Sequence, residues 1–318
     1  MPLEESVLVI GAGVAGLSTA VTLAETGTPV RIRTSEHPRA TTSAAAGAMW
    51  GPALLQPADR VLGWVTTSYH RFVELAADPA TGVHLEYGRM AARFDLGDQV
   101  PPEAELLPDL RRCRPDELPE GFVSGYRGTV PLIDMPRYLD HLTERFRAAG
   151  GELLHSPVSS LAEAAEEASV VVNCTGVGAH ELIGDPGVRP VRGQQVVVRN
   201  PGIDEYFVEI GPGEEPVAVM PHGGHVVLGS TAVEHDWSRT AEGGTTDGIL
   251  RRCARVDPLL SGAVVLEEKV GLRPGRDAVR VEVERFGGAK IVHNYGHGSC
   301  GVALSWGCAT EAAELARG

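Results

Sequence analysis

The stretch from Val7 to Arg33 leaves this chain little freedom in how it folds. Val7 to Ile10 is a short, wholly apolar run, the pattern of a strand buried on both faces of a parallel sheet. It leads directly into Gly11-Ala12-Gly13-Val14-Ala15-Gly16, and Leu17 to Thr26 then keeps helical spacing up to Gly27. Val30 to Arg33 reads as a second strand. Strand, glycine turn, helix and strand within about 30 residues are the setting that a dinucleotide-binding fingerprint requires. At Gly11, Gly13 and Gly16 the missing Cβ atoms permit a tight turn, close approach to a pyrophosphate, and tight packing of helix on strand. The helix N-terminus then offers N–H groups to phosphates, so Gly11, Ala12, Gly13, Val14 and Gly16 are candidate cofactor contacts. An ordinary glycine turn is the bland alternative. At the end of the second strand, Glu36 could accept ribose hydroxyls while Arg33 could equally face a 2′-phosphate, so this position alone does not separate FAD from NADP.

Composition narrows the class. With 318 residues, 43% hydrophobic and 22% charged, the chain is long enough for about two domains and ordinary for a soluble enzyme. Its 28 basic and 42 acidic residues give a net charge of -14, which repels phosphate backbones and anionic lipid. Neither nucleic acid nor membrane is expected as a partner. Cys113, Cys174, Cys253, Cys300 and Cys308 are odd in number and form no CxxC pair, which fits reduced thiols and no zinc site. Met1-Pro2-Leu3-Glu4-Glu5 lacks the basic region and apolar stretch of a secretory signal, and no run approaches the roughly 20 apolar residues of a membrane helix. A cytoplasmic protein is expected.

Farther along, Pro52 to about Pro131 is rich in proline, glycine and charge, with helical segments such as Arg60 to Ala77 and few strand runs. Tyr138 to Ala149 reads as a helix, Leu153 to Leu161 as a strand and turn, and Ala162 to Ala168 as an acidic helix. Ser169 to Cys174 is another buried strand that closes with Thr175-Gly176; a flavin domain places such a strand end near the adenosine side, making Cys174, Thr175 and Gly176 candidate contacts. QQVVVRN, PVAVMP and HVVLGS look like antiparallel strands. Lys290 to Trp306 passes from a strand through a glycine-rich turn into an apolar helix from about Val302. The fold expected is α/β: a Rossmann-type dinucleotide domain (1–47, 137–189 and 269–318) with an inserted, mainly antiparallel β domain (48–136 and 190–268).

Taken in order, GAGVAGLSTA, TTSAAAGAMWGP, PLIDMPRYL, VVNCTGVGA, GLRPGRDAVRVE and HNYGHGSCGVALSWGCATEAA resemble the D-amino acid oxidase family. The resemblance covers nearly the whole chain, and HNYGHG with the GLRP block is its most specific part. It implies noncovalent FAD on the Rossmann-type domain and an amino acid substrate, with dioxygen as acceptor. It also implies that Arg273 pairs with the substrate carboxylate; a planar guanidinium grips a carboxylate through two parallel charge-assisted bonds. By the same resemblance Gly298, Ser299, Gly301 and Val302 lie along the flavin, with the Ser299 carbonyl near the substrate amine. Thr42, Ser43, Ala46 and Gly47 match the stretch passing the flavin and pyrophosphate, and Val158 an adenine-side contact. A helix starting near Val302 would aim its N–H groups at the flavin, whose reduced form is negative. His293, His297 and Cys300 are a weak alternative as a metal site, because a glycine-rich turn lacks a rigid ligand-bearing face.

The pattern departs from the family in the substrate region. Tyrosines usual in family members that act on neutral D-amino acids fall here at Ala218 and near Glu214, and a further aromatic place is Ala53. These losses enlarge the pocket and change its polarity. Tyr206, Tyr126 and Trp50 are the candidates to fill it. The activity implied is oxidation of a D-amino acid to a 2-oxo acid, ammonia and hydrogen peroxide by hydride transfer to flavin N5, with no side-chain general base. The alternatives are a related flavin amine oxidase or dehydrogenase acting on glycine, a secondary amine or a biosynthetic intermediate, an NADP reductase, and a non-catalytic cofactor-binding protein. The sequence is silent on oligomeric state, a homodimer being the simplest expectation.

Overall fold

The apolar run Val7–Ile10 (β1) is buried along its whole length because it lies between two parallel neighbours, β2 (Val30–Thr34) and a strand from the middle of the chain. This computed structural model describes residues 6–318 apart from 52 and 99. Met1 to Glu5, on which the expectation of no secretory leader rests, and Pro52 of the TTSAAAGAMWGP segment lie outside the described residues. Between β1 and β2 the helix α1 spans Val14–Ala24, with Gly13 as its extended N-cap. It starts three residues before the expected Leu17, because the turn ends at Gly13 and the backbone is helical at once.

A short helix α2 (Thr42–Ala45) and strand β3 (Ala48–Met49) follow, then the amphipathic helix α3 (Ala58–Leu75). The next segment corrects the expectation of few strands. β4 (Val83–Ala92), the short β5 (Arg111–Arg112) and β6 (Ser124–Ile133) form a ladder, with β4 and β6 paired from Val83–Ile133 to Ala92–Ser124. These strands carry glycine and charge where alternation would place apolar side chains. Gly88 is needed because a Cβ there would stand 2.3 Å from the Tyr206 carbonyl oxygen and 2.5 Å from its ring.

The chain continues through α4 (Met135–Ala148), β7 (Glu152–His155), α5 (Leu161–Glu167), β8 (Val170–Asn173) and α6 (Ala179–Leu182). The antiparallel run is β9 (Arg189–Arg199), β10 (Tyr206–Ile210), β11 (Ala218–His222), β12 (His225–Gly229) and β13 (Val233–Glu234). After α7 (Gly243–Val256) come β14 (Val265–Gly275), β15 (Arg280–Phe286), β16 (Ala289–Tyr295) and α8 (Ser305–Arg317). The expected helix start at Val302 is displaced: Gly298–Cys300 is a 3-10 turn closed by Cys300 N–H to His297 O, turn bonds from Leu304 N–H to Cys300 O and Ser305 N–H to Val302 O follow, and α8 begins only at Ser305.

Two sheets result. The first has the order β15-β16-β8-β1-β2-β7, parallel except for the β15–β16 hairpin. With β1 between β8 and β2, the carboxyl ends Ile10, Asn173 and Arg33 share one edge, where ligands bind in such sheets. The second runs β13-β9-β12-β11-β10-β4-β6-β3, with β14 also paired to β9. One of its faces buries Val196, Val198, Val219, Val226 and Leu228 under Ile249 and Cys253 of α7. Val197, Tyr206, Met220 and Val227 join the main core, which includes Leu17, Trp64, Tyr138 and Trp306. No helix among the described residues is long and apolar enough to cross a membrane.

Close contact of α8 with α3 ties the last helix to the core. Trp306 Nε1–H donates to the Tyr138 hydroxyl at 2.8 Å, and the Trp306 and Gly307 N–H groups share the Ser68 hydroxyl at 3.2 and 3.1 Å. A Cβ on Gly307 would stand 2.2 Å from Trp64 Cα. Gly307→Ala is therefore expected to destabilise the protein by about 2 kcal/mol or more through forced separation of the helices. An unchanged chemical-denaturation midpoint would contradict this packing.

Candidate cofactor and substrate site

The glycine turn is fixed by contacts that a side chain would break. Gly11 has φ +104° and a Cβ there would meet the Cys174 carbonyl oxygen at 2.6 Å, while one on Gly16 would stand 1.9 Å from the Gly11 carbonyl oxygen. Cys174 N–H in turn donates to Ile10 O at 2.9 Å, so the Cys174-Thr175-Gly176 strand end abuts the turn. Thr175 donates through its N–H and hydroxyl to Asn173 Oδ1 at 3.2 and 2.7 Å. Burial pushes the Cys174 thiol up to about 12, which makes it a packing group and no nucleophile. Ala12 is buried, Gly13 faces Ser43, and the Ser43 hydroxyl accepts the Val14 N–H at 3.0 Å. Val158 is half-buried against the cluster of Leu8, Ile10 and Leu161.

The two candidates for the ribose end are both engaged. Arg33 lies against the opposite shoulder, its guanidinium held by Glu167 and Glu163 at 2.7 Å each and by the Ser156 hydroxyl at 3.1 Å. A guanidinium paired with two carboxylates has little attraction left for a 2′-phosphate, which removes the observation behind an NADP reading. The Glu36 carboxylate pairs with Arg239, which reaches over from the loop before α7. Glu163 is held low, to about 2, first by the Ser159 hydroxyl and N–H and then by Arg33. Since its folded value is depressed, the stabilisation is present above the ordinary 4.5 and is lost as pH falls toward about 2. A carboxyl NMR titration of Glu163 is expected to show a midpoint near the lower value; an ordinary midpoint would contradict the clamp on Arg33.

Arg273 lies in β14, directly after Gly271-Leu272. Its Nη1 donates to Thr231 O at 2.9 Å and Nη2 lies 3.4 Å from the Ser230 hydroxyl. Among the described residues no carboxylate pairs with it. Burial pushes this guanidinium below its ordinary value, which is the sign of a cation short of compensation. Room for it comes from Gly193 in β9, where a Cβ would stand 2.3 Å from Nη1. Thr42 is tied to the same strand, its hydroxyl 3.2 Å from both the N–H and the carbonyl oxygen of Leu272. Ala46 packs partly buried against the main core, and Gly47 passes close over Gln195 and Val227.

On the far side, Gly298 (φ +53°) and the exposed Ser299 form the 3-10 turn, followed by Gly301 and Val302. This turn packs on β14, the strand that carries Arg273. His297 behind it is buried; Asn294 Oδ1 lies 3.0 Å from its Nε2, and burial pushes the ring down to about 4, so it is neutral near pH 7. His293 lies with its Nδ1 3.3 Å from Asn173 Nδ2 and its Nε2 3.3 Å from Glu284, and no group of three metal-ligating side chains forms among the described residues. Two of the residues expected to replace the missing tyrosines lie fully buried in the main core with their polar atoms engaged. Trp50 is fully buried and donates to Val65 O at 2.9 Å, and the buried Tyr206 donates to Gly128 O at 3.1 Å. Tyr126 is buried under Arg112.

The family model described as FAD dependent oxidoreductase matches residues 6–315. The chain belongs to this FAD-dependent oxidoreductase family. It is 48% identical to a D-amino-acid oxidase of Rubrobacter xylanophilus over 97% of this chain and 95% of that protein. It is 45% identical to a D-amino-acid oxidase of Streptomyces coelicolor over 98% of this chain and 97% of that protein. Its fold is similar to that of glycine oxidase from Bacillus cereus, with TM-score 0.78 and 21% identity over 99% of this chain and 95% of that one. FAD is thus the cofactor of this oxidoreductase, and the cradle at Gly11, Gly13 and Gly16, which any Cβ would fill, fits its pyrophosphate.

Sequence reasoning missed Gly193, Ser230 and Thr231, which seat the guanidinium. A glycine inside the strand pattern VRGQQVVV was the available signal, since strand glycines mark close approach of another group.

Proposed function

We propose that this FAD-dependent oxidoreductase is a D-amino acid oxidase acting in the cytoplasm, where its five free cysteines stay reduced. The observation that carries this reading is Arg273, a half-buried guanidinium held by a carbonyl and a hydroxyl and paired with no carboxylate among the described residues. The 48% identity to a D-amino-acid oxidase supports the stereochemistry. Bound FAD supplies the acceptor that takes the α-hydrogen as hydride, giving an imino acid that water hydrolyses to a 2-oxo acid and ammonia, and dioxygen then takes the electrons as hydrogen peroxide.

The chain's own part is orientation. Arg273 fixes the carboxylate with two parallel bonds, and Thr231 O and Ser230 hold the guanidinium flat to receive it. We infer that the turn Gly298-Ser299 borders the amine, with the Ser299 carbonyl as its acceptor. The buried neutral His297 supports that turn through Asn294 and supplies no proton. Gly11, Ala12, Gly13, Val14 and Gly16, with Thr42, Ser43, Ala46, Gly47, Val158, Cys174, Thr175, Gly176, Gly301 and Val302, would line the cofactor.

For the side chain, the register is informative. Ala218, Val208 and Met90 sit side by side across β11, β10 and β4, and the next row holds Met220. This wall is apolar and, with alanine at 218, roomy. Methionine- or leucine-sized D-amino acids are the expected substrates.

Under anaerobic conditions D-methionine or D-leucine is expected to bleach the bound flavin, and the L-enantiomers are not; bleaching by no D-amino acid would refute the proposal. Arg273→Ala is expected to keep FAD while raising KM by roughly 30-fold or more, from the loss of a desolvated charge pair. Gly193→Ala should approach that loss by displacing the guanidinium, and unchanged kinetics in both variants would remove Arg273 from the site. Ala218→Tyr is expected to shift preference toward smaller D-amino acids, read as the ratio of kcat/KM values for D-methionine and D-alanine.

A further inference from the structure

Gln195 in β9 and Lys269 in β14 stand opposite each other in the ladder, on the face that carries Arg273 four residues farther along β14. The segment 42–47 runs along this pair. Thr42 is bonded to Leu272, Lys269 Nζ donates to Ala44 O at 3.4 Å, and a Cβ on Gly47 would stand 3.1 and 3.2 Å from the Gln195 amide atoms. Beside Thr42, Ser43 fixes the segment to the glycine turn by accepting the Val14 N–H. A cofactor whose pyrophosphate rests on that turn and whose ring extends toward Arg273 therefore passes beside Gln195 and Lys269.

Both side chains are incompletely satisfied. Gln195 is 7% exposed, and its Oε1 is buried with no hydrogen-bond partner among the described residues. A buried acceptor without a donor is costly and calls for a missing partner. The Lys269 side chain is 12% exposed, while its carboxylate neighbour, Glu267 at 3.7 Å, is 61% exposed and largely screened. The ring of FAD matches both needs. Its pyrimidine half carries a ring N–H with carbonyl oxygens on either side, and it gains negative charge on reduction. Since α8 starts at Ser305, later than a dipole at Val302 would need, a side-chain cation has a task here.

We propose that Gln195 Oε1 accepts an N–H from the pyrimidine rim of the flavin, and that Lys269 lies against the same rim and offsets its negative charge. This rests on the FAD-oxidase reading above. Gln195 and Lys269 are positioning residues for the cofactor, distinct from the substrate anchor Arg273. The simplest competing role is structural: Lys269 capping the carbonyl of Ala44, and Gln195 filling space over Gly47.

The test uses purified holoprotein of wild type, Gln195→Leu, Lys269→Met and Lys269→Arg. Sulfite is the probe, since its sulfur adds to flavin N5 to give an anionic adduct that bleaches the visible band. Lys269→Met is expected to weaken sulfite binding about tenfold or more, and Lys269→Arg to retain it, because only the charge matters. Gln195→Leu is expected to weaken FAD binding by about tenfold or more, while the unfolding midpoint of the FAD-free protein stays at or above that of wild type. Should Gln195→Leu fail to fold, Gln195→Met takes its place. Sulfite and FAD affinities within about twofold of wild type, or loss of stability in the FAD-free variants to match any loss of FAD, would overturn the proposal. A wild-type protein that binds no FAD would instead sink the oxidase reading itself.

Discussion

A guanidinium half-buried on a sheet face, with backbone and hydroxyl oxygens beside it and no carboxylate among the described residues, is the constraint around which the proposed site is organised. Removing such a charge from water is unfavourable unless something compensates it, and a bidentate carboxylate is the partner whose geometry matches. Several features serve that single placement: Gly193 clears the space, the Ser230–Thr231 bend supplies oxygens, and the Thr42–Leu272 bonds hold the strand against the cofactor segment. In the proposed reading, a substrate held there by its carboxylate has its α-carbon positioned by the protein, and orientation of this kind contributes to rate.

Close backbone approach is the second organising principle. Gly11 and Gly16 cannot carry a Cβ without striking Cys174 or each other's backbone, and Gly47 cannot without striking Gln195 and Val227. The segment 42–47 thus joins the phosphate end of the site at Ser43 to the sheet face that holds Arg273. One sheet supplies the turn and the other Arg273, and this short segment links them.

Much of the first sheet was legible in the sequence, because Val7–Ile10, Val170–Asn173 and the glycine turn obey local rules of burial and turn chemistry. β9, β11 and β12 were legible for the same reason. β4 and β6 were not: their glycines and arginines answer to partners distant in sequence, such as the Tyr206 ring over Gly88, and local periodicity carries no trace of such partners. The helix start at Val302 was misplaced because Gly301 and Val302 allow either a helix or the turn that Leu304 and Ser305 close. Arg33 and Glu36 were ambiguous for a related reason, since only the tertiary structure brings Glu163, Glu167 and Arg239 to them. Arg273 was a candidate from its GLRP setting, whereas the residues that seat it became visible only once β9 and β14 were paired.

The most direct test of the account is a crystal structure of the FAD-loaded protein with a 2-oxo acid product. The account predicts the product carboxylate within hydrogen-bond distance of both Arg273 Nη atoms, with the 2-carbon facing the flavin. A carboxylate bound elsewhere, with Arg273 still held only by Thr231 and Ser230, would contradict it.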